Sequence, residues 1–223
     1  PVTPVVAGTA DFVASGTLPN GKPVVLKSDG TVEVVAQIST SVTESIPAGS
    51  GVVGNASSGG YAAIAFDPNT ANKFVYCYKD SSNSRSGTAV VGTVSGTSIS
   101  FGTAVVFNTG NTSISSVSFD PNTANSFVIT YKDNDTSDYG VAIAGTLSGT
   151  SVSFGTEVVF RAANTNYPLV SFDPNTAGKF VVVYRGDTSP WYGRAIVGTV
   201  SGTSVSFGTA VAFSSGSAYY TSL

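Results

Sequence analysis

The chain of 223 residues has a net charge of −3, and only 10% of its residues are charged. Such a weak negative charge argues against a nucleic-acid-binding surface, and no apolar run approaches the roughly 18 residues of a membrane-spanning helix. Histidine is absent, which excludes Ser-His-Asp and Cys-His catalysis and the usual zinc sites. No cofactor is expected. The composition, with 25 glycines and 41% hydrophobic residues, favours strands joined by tight turns.

The first 40 residues contain turn sequences between apolar segments. In "ADFVASGTLPNGKPVVLKSDGTVEVVAQI", a Pro-Asn-Gly turn and an Asp-Gly turn separate three strand-like pieces. This pattern predicts a small β-meander over residues 1–40. The following segment Glu44–Asn55, "ESIPAGSGVVGN", resembles the last strand of the repeats described next.

An internal repeat occupies the rest of the chain. The Phe of "FDPNT" falls at positions 66, 119 and 172, and the Gly that opens "GTVSGTS" or "GTLSGTS" falls at 92, 145 and 198, so that all four intervals are 53 residues. We therefore predict a repeat domain over residues 41–223, with repeats at about 61–113, 114–166 and 167–219. Tyr220 lies 53 residues after Tyr167. The printed sequence thus enters a further repeat, and we expect it to be a piece of a longer polypeptide.

Each repeat divides into four strand-like pieces. "DPNT" joins the first and second strands, and its Asp (Asp67, Asp120, Asp173) is expected to cap the turn. "SGT" predicts a hairpin between the third and fourth strands. The second strand is apolar almost throughout, which suits a strand covered on both faces, and Cys77 within it is expected to be a buried small hydrophobe. The predicted fold is all-β, with four-stranded antiparallel units of 53 residues that resemble β-propeller blades. Stacked or fibrous β-repeats are the alternative.

The copies differ mainly in two segments of each repeat. The loops after the second strand and after the fourth strand vary, whereas the "DPNT" and "SGT" turns barely change. In an up-and-down sheet the two variable segments share one end, where recognition is commonly built. Aromatic residues in these segments are candidates for glycan contact, for packing against another subunit, or for anchoring the loops: Tyr139, Tyr167, Trp191, Tyr192, Tyr219 and Tyr220.

Carboxylates supply only weak candidates for chemistry. Asp133, Asp135 and Asp138 form a D-x-D-x-x-D loop that could hold calcium, but it lacks the Gly and distal Glu of an EF-hand, and the other repeats do not share it. A glycoside hydrolase could use two carboxylates, with candidates at Asp133, Asp135, Asp187 and Glu157. Nothing in the sequence brings two of them together. We therefore expect no metal site and no enzymatic activity.

The whole pattern resembles a group of viral proteins. "ASGTLPNGKPVVLKSDGTVEVV", followed by "FDPNTANKFVYCYKD" and "GTAVVGTVSGTSISFGTAVVF", is similar to repeat-bearing tail-fibre and appendage proteins of marine tailed bacteriophages. The resemblance covers nearly the whole chain and includes no catalytic motif. It implies a structural protein of the virion that touches the host surface, and it assigns no site residues.

Three functions therefore compete. The expected one is a non-enzymatic, tail-fibre-like virion protein, located on the virion or outside the cell. Its expected partners are other virion proteins, copies of itself and a host surface glycan, with no nucleic acid and no membrane insertion. A secreted bacterial adhesin or carbohydrate-binding lectin on a propeller scaffold is the alternative, and a glycoside hydrolase is the third.

Overall fold

The computed structural model describes residues 13–14, 24–34, 59–187 and 191–218. These residues form strands and turns and contain no helix, so the all-β prediction is confirmed for the part of the chain that is described. The chain divides into two compact units, Pro1–Ile46 and Pro47–Leu223. The predicted strand Glu44–Asn55 lies outside the described residues.

The N-terminal unit contains a three-stranded sheet. Its strands are β1 (Val13–Ala14), β2 (Val24–Leu26) and β3 (Thr31–Val34). The Asp29–Gly30 turn joins β2 and β3 into an antiparallel hairpin, in which Asp29 Oδ1 accepts a hydrogen bond from the Thr31 backbone N–H (2.9 Å). β1 then pairs in parallel with the other edge of β3, so the sheet order is β1-β3-β2.

The predicted meander is therefore wrong. A meander would place β2 in the centre with antiparallel neighbours, whereas here β3 is central and contributes the buried Val32. The physical reason is that turn residues specify where the chain reverses, but they do not specify which edge of the resulting hairpin a preceding strand joins. The predicted Pro-Asn-Gly turn lies outside the described residues.

The second unit contains three successive groups of strands. Group 1 contains β4 (Gly59–Phe66), β5 (Lys73–Asp80), β6 (Ser86–Ser95), β7 (Ser98–Phe101) and β8 (Val105–Asn108). Group 2 contains β9 (Thr112–Phe119), β10 (Ser126–Asp133), β11 (Tyr139–Ser148), β12 (Ser151–Phe154) and the start of β13 (Val158–Phe172). Group 3 contains the rest of β13, β14 (Lys179–Gly186), β15 (Tyr192–Ser201), β16 (Ser204–Phe207) and β17 (Val211–Ser217).

Within each group the first three strands pair antiparallel in chain order, and two short strands follow one another along the outer edge of the third. The predicted fourth strand is thus divided in two. In group 1 the division falls at residues 102–104. A glycine in the third strand faces a phenylalanine of the second: Gly145 lies opposite Phe127, and a Cβ on Gly145 would lie 2.2 Å from Phe127 Cζ. The glycine therefore gives the ring its place on the sheet.

Asp-Pro-Asn turns close the first hairpin of every group. The Oδ1 atoms of Asp67, Asp120 and Asp173 each accept a hydrogen bond from the backbone N–H two residues later, at 2.8, 2.9 and 2.8 Å. This geometry is an Asx turn, as the sequence predicted. The turn end, as we call it, comprises residues 67–72, 120–125 and 173–178 together with the hairpins around Gly96, Gly149 and Gly202. The opposite, variable end comprises the loops before the third strands and the segments before the first strands.

Successive groups pack face to face. The first junction buries Val75, Cys77 and Phe107 of group 1 against Phe119, Phe127, Ile129 and Tyr131 of group 2. The second junction buries Val128, Ala144 and Phe160 of group 2 against Phe172, Phe180, Val182 and Tyr184 of group 3. β10 therefore contributes alternate residues to two cores and is buried along its whole length. The prediction of a doubly covered second strand is confirmed for β10, and the prediction of a buried Cys77 is confirmed.

One connection between groups is continuous and the other is bent. β13 runs for 15 residues, ending group 2 and beginning group 3, and so joins both groups into one nine-stranded sheet. Between groups 1 and 2 the chain turns after Asn108, whose Oδ1 accepts a hydrogen bond from the Gly110 backbone N–H (2.8 Å). The corresponding positions hold Arg161 and Ala163, which cannot form this turn, so the strand stays extended.

Candidate functional site

The variable end is held by the same backbone bond in each group. The N–H groups of Thr112, Thr165 and Ala218 donate to the carbonyls of Arg85, Asp138 and Trp191, at 3.0, 2.9 and 3.1 Å. The three acceptor residues have positive φ angles of 63°, 65° and 52°. The bond joins the loop after the second strand to the segment that enters the next first strand. The two variable segments therefore lie together, as the sequence predicted.

The predicted aromatic residues are not equally accessible at this end. Trp191 is exposed (41%), whereas Tyr139, Tyr167 and Tyr192 are half-buried. Tyr139 packs against the core of the first junction. Tyr219 and Tyr220 lie outside the described residues. Three of the predicted residues, Tyr167, Trp191 and Tyr192, thus belong to the variable end of group 3, and Trp191 presents the most open ring among those described.

Tyr167 takes part in a contact that recurs in group 1. The guanidinium carbon of Arg185 lies 5.2 Å from the centre of its ring, and Lys79 Nζ lies 5.3 Å from the ring of Tyr61 at the corresponding positions. Both tyrosines have positive φ, at 52° and 51°. A cation above an aromatic ring stabilises a local conformation. This contact supports a loop-anchoring role for Tyr167.

Ion pairs link the loops of this end. Lys132 Nζ lies 3.1 Å from Asp138 Oδ2, and Arg161 Nη2 lies 2.7 Å from Asp187 Oδ1. The Arg161 guanidinium also lies over the ring of Tyr184, 5.7 Å from its centre. Arg161 belongs to the end of group 2, and Tyr184 and Asp187 belong to group 3. The pair therefore ties the variable ends of two groups together.

The three aspartates of the calcium candidate face separate partners. Asp133 Oδ1 accepts from the Asp135 backbone N–H (3.0 Å), and Asp135 Oδ2 accepts from the Asn111 backbone N–H (2.9 Å). Asp138 bonds to the Asn134 side chain and pairs with Lys132. Among the described residues, no group of three or more His, Cys, Asp or Glu side chains is placed to hold a metal ion. These aspartates order the loop.

The carboxylates considered for glycoside hydrolysis have comparable structural roles. Asp187 is paired with Arg161, and Asp133 and Asp135 cap backbone N–H groups. Glu157 is exposed and directly precedes β13. Its carboxylate affects the pKa of Tyr131. Burial raises this pKa above its ordinary value, and the nearby charges of Glu157 and Asp133 raise it further.

The turn end contains a groove that the sequence did not predict. It lies between groups 2 and 3, with a volume of about 400 Å³, and its walls include Asp120, Ser126 and Gly178. The relevant signal was present in the comparison of repeats, because Ser126 replaces the lysine found at this position in the other two copies. The substitution lies beside turns that barely change between the repeats.

No protein-family model, curated protein or solved structure matches the chain. Among the described residues, no helix has the length and apolar character needed to cross a membrane.

Proposed function

We propose that the protein is a non-enzymatic structural component of a virion appendage, similar to a tail fibre. Each group of strands would serve as a propeller-like blade of 53 residues, and the variable end would contact the host surface. The observation that supports this most is the pair of junctions. Group 2 buries one face against group 1 and the other against group 3, as in architectures that extend by adding one repeated element after another.

Further features suit a durable extracellular scaffold. The charged residues are few, and two ion pairs, Lys132 with Asp138 and Arg161 with Asp187, join residues of the variable end. Turns are capped by the same Asp-to-backbone hydrogen bond in all three groups. These contacts order a surface of loops on a packed base, which is how recognition surfaces are commonly built.

The location can be tested by mass spectrometry of purified tailed particles from the source of the sequence. Trypsin cleaves after Arg85 and Lys132, and the peptide between them, residues 86–132, contains no other Lys or Arg. We expect this peptide in the particles at an abundance comparable with that of other structural proteins. Its absence from particles and presence in the surface fraction of uninfected bacteria would reject the virion role and favour a secreted adhesin.

Adhesion is a second proposed role, favoured by the exposed Trp191 at the variable end of group 3. An aromatic ring can cover the C–H face of a sugar while neighbouring polar groups bind its hydroxyls. Trp191→Ala should reduce binding to host cells or to an array of glycans at least about 10-fold, the effect of losing an aromatic anchor. Val106→Ala, which removes an exposed apolar side chain from a strand, is the control and should bind normally. Equal binding by both variants would show that Trp191 is not part of the contact surface.

A further inference from the structure

The groove at the turn end of the second junction has a counterpart position at the first junction. Subtracting 53 from the number of a residue that lines the groove gives the corresponding residue at the first junction. Asp120 corresponds to Asp67, and Thr146 corresponds to Thr93. Three other wall positions carry longer side chains at the first junction: Lys73 for Ser126, Asn125 for Gly178, and Leu147 for Val200. The groove is therefore open because three residues are short.

At the first junction, the side chain of Lys73 occupies the space that corresponds to the groove. It lies opposite Thr93 on the neighbouring strand, and its Nζ donates a hydrogen bond to Thr93 Oγ1 at 2.6 Å. Lys179 makes the same bond to Thr199 in group 3, at 2.7 Å. In group 2 the register is unchanged, so that Ser126 faces Thr146, but the alkyl stem and the ammonium group are missing. The hydroxyl that accepts the ammonium in the other groups remains in the wall of the groove.

Charge at the groove favours a cation. Asp120 is fully buried, and its carboxylate oxygens accept backbone N–H bonds from Asn122 (2.9 Å) and Gly178 (2.7 Å). In groups 1 and 3 the equivalent aspartate has a lysine across the turn, at Lys73 and Lys179, whereas group 2 has the carboxylate without the lysine. Each carboxylate oxygen can accept more than one hydrogen bond. The buried Asp120 carboxylate therefore supplies negative charge behind the wall, and the half-buried Thr146 hydroxyl is the acceptor for an incoming donor.

We propose that this groove binds a primary alkylammonium group, which takes the place of the lysine that group 2 lacks. The alkyl stem lies along Ala124 and Val200, and the ammonium donates to Thr146 Oγ1 on the side of Asp120. Such a group can come from a lysine side chain of another protein or from a small diamine. The proposal depends on residues of the turn end alone, so its test does not depend on whether the protein belongs to a virion.

The direct test is a titration of the isotope-labelled chain with butylammonium chloride, followed by NMR. Butylammonium reproduces the Lys73 side chain beyond its Cα. We expect saturable shifts of the Ser126, Thr146 and Gly178 amide signals, with a Kd on the order of 1–10 mM for so small a ligand. Butanol, which has a similar size and no charge, should bind at least about 10-fold more weakly. Equal shifts with butanol, or no saturation with either compound, would overturn the proposal.

Variants taken from the chain's own other junction provide the controls. Ser126→Lys should fill the groove as Lys73 does and abolish butylammonium binding, whereas Ser126→Ala should leave binding intact. The triple variant Lys73→Ser, Asn125→Gly and Leu147→Val should gain a second site at the first junction. Because these residues already occur at the corresponding positions, folding should be retained, and amide spectra verify it. Undiminished binding by folded Ser126→Lys would contradict the proposed position.

Two further ligands distinguish the source of the ammonium. Nα-acetyl-lysine amide presents the group on a peptide backbone, and 1,5-diaminopentane presents it on a free chain. Tighter binding of the lysine amide would identify a protein side chain as the natural ligand, and tighter binding of the diamine would identify a small amine. Failure of both to compete with butylammonium would show that the groove does not accept an extended ligand and would overturn the proposal.

Discussion

The three groups have nearly the same sequence, but they differ in how much of one face is buried. The face of group 3 that points away from group 2 is exposed, whereas the corresponding faces of groups 1 and 2 are covered. Phe107 and Phe160 are 6% and 9% exposed, because each is covered by the next group, whereas Phe213 is 56% exposed. Val91 and Ala144 are fully buried, and Val197 is 52% exposed. The comparison shows that a repeat does not by itself determine which of its apolar residues form a core. The neighbouring group decides that.

The largest expected effect comes from exchanging the covered and exposed phenylalanines for alanine. Phe160 packs against Tyr184 and Phe207, with ring centres 5.3 and 5.6 Å apart. Phe160→Ala should lower the free energy of unfolding by about 3–5 kcal/mol, the usual cost of removing a buried ring. Phe213→Ala should change it by no more than about 0.5 kcal/mol. Urea unfolding measures both, and similar losses would show that Phe213 is covered in solution.

Disturbing the packing within a group should cost about the same stability in group 2 as in group 3. A Cβ on Gly145 would lie 2.2 Å from Phe127 Cζ, and one on Gly198 would lie 2.1 Å from Phe180 Cζ. Gly145→Ala and Gly198→Ala should therefore each cost about 1–3 kcal/mol, because the ring must move. Gly208→Ala is the control, since its Cβ would approach only the Val197 carbonyl oxygen, at 3.8 Å. A much smaller loss for Gly198→Ala would mean that group 3 is packed more loosely throughout.

The covered junction should also make stability depend on alkaline pH. The Tyr131 ring lies 5.3 Å from that of Phe107, and burial raises the pKa of Tyr131 above its ordinary value. The contribution to stability is complete below about pH 10 and is lost as the pH rises, because the unfolded chain ionises first. The slope is up to about 1.4 kcal/mol per pH unit for one tyrosine. Tyr131→Phe should unfold with a shallower slope between about pH 10 and 11, and an unchanged slope would contradict this assignment.

The smallest expected difference concerns one hydrogen bond of the turn end. Asn69 Nδ2 donates to the Asp120 carbonyl at 3.1 Å, and Asn122 Nδ2 donates to the Asp173 carbonyl at 3.2 Å. Asn175 is the corresponding residue of group 3, and no group follows it among the described residues. Asn122→Ala should cost about 0.5–1.5 kcal/mol, whereas Asn175→Ala should be nearly neutral. Thermal unfolding compares the two, and equal costs would indicate that the bond contributes nothing.

Local rules were enough to predict the turns and the first three strands of each group in the second unit. Asp-Pro-Asn presets the backbone and supplies the capping carboxylate within three residues, so the Asx turns of Asp67, Asp120 and Asp173 follow from the sequence. The alternating chain direction of short hairpins likewise placed both variable loops at one end. The site prediction was less complete, because exposure depends on neighbours: Tyr139 packs on the first junction, whereas Trp191 is exposed.

The sequence by itself determined the all-β class, the places where the chain reverses and the separation of constant turns from variable loops. These features depend on interactions between residues close along the chain. Only the tertiary structure decided the edge of β3 that β1 joins, the continuity of β13, the faces that become cores and the groove beside Ser126. Each of these depends on which surfaces of segments distant in the sequence pack together. That packing decides whether a side chain is buried, paired or accessible.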